Sequence, residues 1–151
     1  FETADEWFAS VQPDYHVRLS LLQRRSLGRV CGTYWRSGEE IFYREVCDRF
    51  VRSLSHRFCP NKNVWKRFRP ILPNICCLHG KGDNKAWHLH LNILAPEGIS
   101  DVDFEKNVWD TARKNPWIPF GHHSIHVEPI RCQAKAISYT MKEGFSSVMP
   151  C

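Results

Sequence analysis

Two short apolar runs on either side of a turn constrain the fold of this chain more than any other feature of its sequence. The runs are Asn74–His79 and Ala86–Leu94, and the segment between them, GKGDNK, has the glycine, aspartate and asparagine content of a tight turn. An apolar run of this length, bounded by turn residues, favours a buried β-strand over a helix. We therefore predict a β-hairpin, which commits the fold to an antiparallel sheet.

The rest of the chain alternates strands and helices around this hairpin. The predicted elements, in chain order, are a strand over Tyr15–Leu22, a helix over Glu39–Phe58, the two hairpin strands, a helix from Asp101 to about Lys114, a strand over His122–Ile130 and a helix over Arg131–Glu143. Residues 24–38 and 61–73 are predicted to be loops. Without its last helix, this order is the split βαβ pattern of a ferredoxin-like (RRM-like) α+β fold. Both crossover helices would cover one face of the sheet, and the last helix would have the other face available.

The length and composition set further bounds. A chain of 151 residues has the size of one domain, so residues 1–151 are interpreted as a single unit, and because the chain starts at Phe1 we expect it to be a piece of a longer protein. Neither a signal-peptide pattern nor a run of about 20 apolar residues is present, so no membrane association is expected. Seven cysteines without a C-x-x-C pair indicate free thiols in a reducing, intracellular compartment, the cytoplasm of a prokaryote or a eukaryotic nucleus.

The second hairpin strand carries a pair of histidines. His88 and His90 point to the same face, because side chains alternate along a strand, while Leu89 points to the core. If the hairpin turn is centred on Asp83 and Asn84, His79 lies directly across from His88, close enough to share a metal ion. His79 is therefore the candidate third ligand, and its rivals are Cys77, His126 and Glu128. The alternative is that these are ordinary residues of an exposed sheet face.

A tyrosine and two lysines share one face of the last predicted helix. Tyr139 and Lys142 are three residues apart, and Lys135 lies one turn before Tyr139. A nearby cation or metal ion favours the phenolate form of a tyrosine, which makes it a better nucleophile. The alternative is a half-buried tyrosine flanked by two solvated lysines.

Together, these segments resemble the HUH endonucleases, and within them the rolling-circle replication initiator (Rep) branch. The strand VRLSLL resembles the first motif of that family, His88-Leu89-His90 resembles the histidine–hydrophobic–histidine motif that names it, and Tyr139-Thr140-Met141-Lys142 resembles the Y-x-x-K motif. The resemblance runs from about Tyr15 to Gly144. No second tyrosine follows in the third motif, so the chain is similar to the single-tyrosine members.

The resemblance implies a metal-dependent enzyme that nicks single-stranded DNA at an origin or an element end. It assigns His88 and His90 as ligands of Mn²⁺ or Mg²⁺, Tyr139 as the nucleophile that becomes joined to the 5′ phosphate, and Lys142 as a helper that orients the phosphate. Members often have glutamate as third ligand, where this chain offers His79. Because imidazole also suits zinc, nickel, copper or cobalt, the identity of the metal stays open.

Several segments have the composition of a single-stranded DNA contact. Such contacts combine cations that bind phosphates with aromatic rings that stack on bases. The candidate contacts are Arg18, Trp65, Lys66, Arg67, Phe68, Arg69, Lys81, Lys85 and Lys135, with Arg24, Arg25 and Arg29 in a basic loop. A net charge of +5 is consistent with an anionic partner.

Three alternatives to a Rep-type nickase stay open at this point. An HUH transposase or relaxase would use the same chemistry on different DNA, and a hairpin target or a fused or separate helicase fits any of these enzymes. A non-catalytic nucleic-acid-binding module shares the element order but stacks bases on aromatic residues of the sheet. A structural zinc domain is disfavoured, since the Cys and His spacing does not match a zinc finger.

Overall fold

A computed structural model of the chain describes residues 3–23, 32–80, 86–141 and 148–149, and over these residues the protein is an α+β fold built on an antiparallel sheet. The helices are α1 (Ala4–Val11), α2 (Gly32–Arg57), α3 (Lys62–Phe68), α4 (Asp101–Arg113) and α5 (Gln133–Thr140). The strands are β1 (Tyr15–Ser20), β2 (Asn74–His79), β3 (His88–Ile93), β4 (Ile125–Pro129) and the two-residue β5 (Val148–Met149). No helix in these ranges is long and apolar enough to cross a bilayer.

The strand order across the sheet is β4-β1-β3-β2-β5, and every neighbouring pair is antiparallel. This arrangement is compatible with the predicted ferredoxin-like topology. The predicted hairpin pairing is confirmed, since β2 and β3 pair with His79 opposite His88 and Leu78 opposite Leu89. The turn between them, residues 81–85, lies outside the described residues.

One face of the sheet forms the main core with α2 and α4. Leu19, Leu89 and Leu91 are fully buried there, together with Phe50 of α2 and Phe104 of α4. Burying a side chain of this size stabilises the fold by about 1.5–3 kcal/mol. The same strand period that sends these residues into the core sends their neighbours to the opposite face.

Helix α4 forms as its sequence predicts. The Ser100 side chain accepts a hydrogen bond from the backbone N–H of Asp103 at 3.1 Å, which caps the first turn. Asp101 and Asp103 place negative charge at the positive end of the helix dipole. The buried side chains of α4 include Phe104 and Val108, four residues apart, so one stripe of the helix packs on the sheet.

The opposite face of the sheet is partly covered by α1 and α5. A small second core contains Phe8 of α1, Ile75 and Cys77 of β2 and Ala136 of α5. The last helix therefore does pack on this face, as expected. Helix α1 was not predicted; it begins at a capping box in which Thr3 and Glu6 each accept a hydrogen bond from the other's backbone N–H.

Two of the predicted loops are partly wrong. Helix α2 begins at Gly32 instead of Glu39, because a nucleated helix gains one backbone hydrogen bond for each residue that it adds, which outweighs the cost of about 1 kcal/mol for Gly38. Segment 61–73 contains α3, which begins where the Asn61 side chain accepts hydrogen bonds from the backbone N–H groups of Asn63 and Val64.

Strand β4 begins at Ile125, three residues later than predicted, since the backbone N–H of Ser124 closes a turn by donating to the Gly121 carbonyl.

Candidate metal centre

Three histidines meet at one end of the β2–β3 hairpin. His79 is the last residue of β2, His88 is the first residue of β3, and His90 follows on the same face. One potential ligand atom from each ring lies within 4.8 Å of the other two. His79 and His90 are buried and His88 is partly exposed, so the cluster opens towards solvent on the side of His88.

Two of these rings have their tautomers set by backbone carbonyls. His79 Nε2 lies 3.0 Å from the carbonyl oxygen of Thr140, and His88 Nδ1 lies 3.0 Å from that of Ala86. A carbonyl oxygen only accepts hydrogen bonds, so each of these nitrogens carries the proton in the neutral ring. The lone pairs are therefore on His79 Nδ1 and His88 Nε2, and the lone pair of a neutral imidazole is what coordinates a metal ion.

The tautomer of His90 is set by a chain of polar side chains. Asn92 Nδ2 donates to Thr140 Oγ1 at 2.6 Å, so Asn92 Oδ1 is the acceptor that faces His16 Nδ1 at 2.8 Å. His16 Nε2 is then an acceptor, and it receives the proton of His90 Nδ1 at 3.1 Å. The lone pair of His90 is left on Nε2. Partners of this kind orient metal ligands in known sites and raise their basicity.

Burial favours the neutral form of His90 and of His16. Burial first, and then the charges on His79, His16, His88 and Arg18, together lower the pKa of His90 from 6.5 to about 2. Burial also lowers the pKa of His16, partly opposed by its hydrogen bond to Asn92. Neutral imidazole is the form that coordinates metals, so His90 is in its binding form near neutral pH.

The donor set fits a divalent metal ion. Two imidazole nitrogens on one tetrahedral zinc ion lie 2.0–2.1 Å from it, hence about 3.4 Å apart. The potential ligand atoms of the cluster lie within 4.8 Å of one another, so closure on such an ion requires a pair of nitrogens to approach by up to about 1.4 Å. Three imidazoles favour zinc, nickel or copper, accept manganese, and suit magnesium poorly, because magnesium prefers oxygen ligands.

The rival third ligands lie outside this cluster, which in the described residues comprises His79, His88 and His90. Cys77 pairs with His90 across the hairpin, but its side chain is buried in the second core. His126 and Glu128 are on β4, separated from β3 by the whole of β1. The sequence prediction of His79 is the one that this geometry supports.

Helix α5 ends beside the histidines. The Thr140 carbonyl that accepts a hydrogen bond from His79 is in the last turn of α5, so that end of the helix lies against the cluster. Tyr139 precedes it by one residue, and 53% of Tyr139 is exposed, so the phenol is accessible to a substrate. Lys135 is also exposed, one turn earlier. Lys142 lies outside the described residues.

The structure separates the expected DNA contacts into two groups. Arg18 is exposed on the histidine face of β1, directly opposite His90 in the register.

The aromatic and basic residues of 65–69 belong to α3 and the residue after it, and they precede the start of β2 in the chain. His79 is at the other end of that strand, about 17 Å from its first residue. Within this group Phe68 is 67% exposed beneath the Arg67 guanidinium, and Trp65 stacks on His56 at 4.6 Å. Lys66, Arg67 and Arg69 are exposed.

The remaining expected contacts fall outside the described residues: Lys81, Lys85, Arg24, Arg25 and Arg29.

Three supporting residues were missed at the level of sequence: His16, Asn92 and Thr140. The first two had a detectable signal, because both alternate onto the histidine face in strands predicted to belong to the sheet. Their direct pairing, His16 opposite Asn92, depends on the β1–β3 register, which no local pattern specifies. Thr140 gave no signal, since its role depends on how α5 packs against β3.

Comparisons with known proteins add no relative to this picture. No protein-family model matches the chain, and neither a curated protein nor a solved structure matches it significantly.

Proposed function

We propose that this domain is a metal-dependent nickase of single-stranded DNA, of the HUH Rep type, on a ferredoxin-like sheet. The observation that carries the proposal is the placement of three histidine rings beside the end of the helix that bears an exposed tyrosine. The strand order β4-β1-β3-β2 and the two crossover segments, α2 and α4, on one face support the ferredoxin-like assignment.

The proposed reaction is an exchange of phosphodiester bonds. The Tyr139 oxygen attacks the scissile phosphorus, a Tyr–O–P bond forms, and the bond from phosphorus to the 3′ oxygen breaks. The proton lost from the phenol balances the proton gained by the departing 3′ oxygen, which leaves as a hydroxyl. One phosphodiester replaces another, so the strand can be rejoined by the reverse reaction.

The histidines would hold Mn²⁺ more readily than Mg²⁺, because all three donors are nitrogens. When bound, the ion supplies Lewis-acid polarisation of the phosphate and holds it in place. Lys142, by the family resemblance, would stabilise the phenolate and the negative charge on the phosphate. Arg18, exposed on the same face as the histidines, is placed to bind a neighbouring phosphate.

The alternative of a non-catalytic, RNA-recognition-like module is not favoured. Such modules stack bases on an open sheet face. Here α1 and α5 cover part of that face. At its open end, the cross-strand pair of β2 and β3 is His79 and His88. A transposase or relaxase would share the site, and only the DNA target would distinguish it from a replication initiator.

A covalent adduct tests the proposal. Wild-type protein is mixed with pooled single-stranded DNA in Mn²⁺ or EDTA and run on a denaturing gel beside Tyr139→Phe. We expect an SDS-resistant shifted band with wild type in Mn²⁺ and none with EDTA or Tyr139→Phe. Tyr43→Phe is the matched control, since it removes a core tyrosine hydroxyl that donates a hydrogen bond to the Leu22 carbonyl. This variant should still form the adduct. An adduct formed by Tyr139→Phe would refute the assignment.

A further inference from the structure

A second aromatic and cationic cluster, with no part in the metal centre, lies at the end of α4 and in the segment that follows it. The Arg113 guanidinium lies over the Phe120 ring, 4.7 Å from its centroid. Trp109 meets the Phe120 ring edge-on at 5.3 Å, and His122 meets Trp109 at 5.6 Å. These contacts hold Phe120 in a fixed orientation, although 53% of the residue remains exposed.

The backbone ties this cluster to the histidine end of the sheet. Ser20 donates to the Ser124 carbonyl at 2.8 Å, and Leu22 donates to the Trp117 carbonyl at 2.8 Å. Ser20 is also the register partner of His88. Ser124 and His88 therefore flank the same residue of β1, two strand spacings or about 10 Å apart. The turn from Gly121 to Ser124 directly follows Phe120.

The surroundings of Phe120 favour an anionic ligand over an apolar one. Arg113, Lys114, His122 and His123 are all exposed in the same region. An isolated exposed ring is common on protein surfaces, but this ring is supported by another aromatic and a cation, and it is surrounded by hydrogen-bond donors. That combination of a π-face and nearby cations is what single-stranded nucleic acids bind.

We infer that Phe120 is a stacking platform for a base of the single strand that enters the histidine cluster. The inference rests on the proposed function for the nature of that strand. The separation of about 10 Å joins Ser124 and His88, and Phe120 lies four residues before Ser124, against α4. Phe120 would therefore hold a base of the strand outside the histidine cluster, at the same end of the sheet, and Arg113 would both support the ring and attract the backbone.

Binding in the absence of metal tests this inference separately from catalysis. The probe is a fluorescent, mixed-sequence 15-nucleotide single strand in EDTA, with affinity measured by anisotropy on a Tyr139→Phe background. We expect Phe120→Leu to weaken binding by about 5- to 150-fold, the equivalent of one lost base stack. Phe120→Tyr should restore it, because tyrosine keeps the ring. Val102→Ala, in the first turn of α4 and 75% exposed, should leave affinity unchanged.

A second variant distinguishes the two exposed phenylalanines. Phe68 is also exposed under an arginine, but at the other end of the sheet. Equal affinity of Phe120→Leu and wild type overturns the inference, whether or not Phe68→Leu weakens binding. Absence of wild-type binding to the probe overturns it as well. Photo-cross-linking with 5-iodouracil should label Phe120, and labelling confined to α3 would contradict its role.

The two proposals fail in different ways. If Phe120→Leu weakens binding but wild-type protein forms no adduct, the platform stands and the nickase proposal fails. If the adduct forms in wild type and the affinity does not depend on Phe120, the nickase stands and the platform fails.

Discussion

Removal of the His16 side chain should weaken metal binding, although His16 is not itself a ligand. His16 accepts the proton of His90 Nδ1 and donates to Asn92, and this fixes the lone pair of His90 on Nε2. In His16→Ala the ring of His90 can rotate or change tautomer. It then presents the required lone pair for only part of the time.

The size of the effect follows from the contacts that are lost. Removing an outer partner of a metal-bound histidine typically weakens metal affinity 10- to 100-fold, or about 1.4–2.7 kcal/mol. The apoprotein should also lose about 1–3 kcal/mol of stability, because Asn92 is fully buried and its Oδ1 loses a donor. His16 is partly exposed, so water can enter the space that its ring leaves and donate to Asn92 Oδ1. The loss of stability should then lie near the lower end of this range.

Calorimetric titration with Mn²⁺ measures the affinity, and ¹⁵N chemical shifts of the imidazoles report the His90 tautomer. His126→Ala is the matched control, since it removes a partly buried histidine from the same sheet face one strand beyond β1, and it should bind Mn²⁺ like wild type. His16→Ala binding Mn²⁺ as tightly as wild type, with His90 still protonated on Nδ1, would refute the reasoning.

Further predictions concern acid stability, metal-linked stability and the core. Folded His90 takes up a proton only near pH 2 and the unfolded chain near pH 6.5, so the unfolded state binds more protons between these values. The free energy of unfolding should therefore fall by about 1.4 kcal/mol per pH unit as the pH drops below about 6.5, measured by urea titration, and His90→Leu should flatten this dependence. Metal at 100 times its Kd should add about 2.7 kcal/mol and raise Tm by about 5–10 °C, and a combined His88→Ala, His90→Ala protein should show no shift in a thermal melt. Leu89→Ala should lower the free energy of unfolding by about 2–5 kcal/mol in the same urea titration, since Leu89 is fully buried, and a loss under 1 kcal/mol would contradict its place in the core.

Much of the fold could be predicted because its signals are local. The hairpin runs, the Ser100 cap and the apolar stripe of α4 are each set by a few neighbouring residues, and the corresponding elements lie within two or three residues of their predicted bounds. Helix α3 was missed because its seven residues have no buried side chain, so no apolar periodicity marks it. Helix α1 buries Phe8 against β2, a contact far along the chain.

Strand alternation was enough to put His88 and His90 on one face, and an assumed hairpin register made His79 one of four candidates for the third ligand. The observed pairing of β2 and β3 brings His79 opposite His88. The tertiary structure sets which nitrogen of His79 and of His90 carries the proton, since that depends on Thr140 from α5 and His16 from β1. It also placed Phe120 at the histidine end of the sheet and α3 away from it. Backbone alternation is a local property of the chain, whereas hydrogen-bond partners between distant segments exist only after the sheet and its helices have packed together.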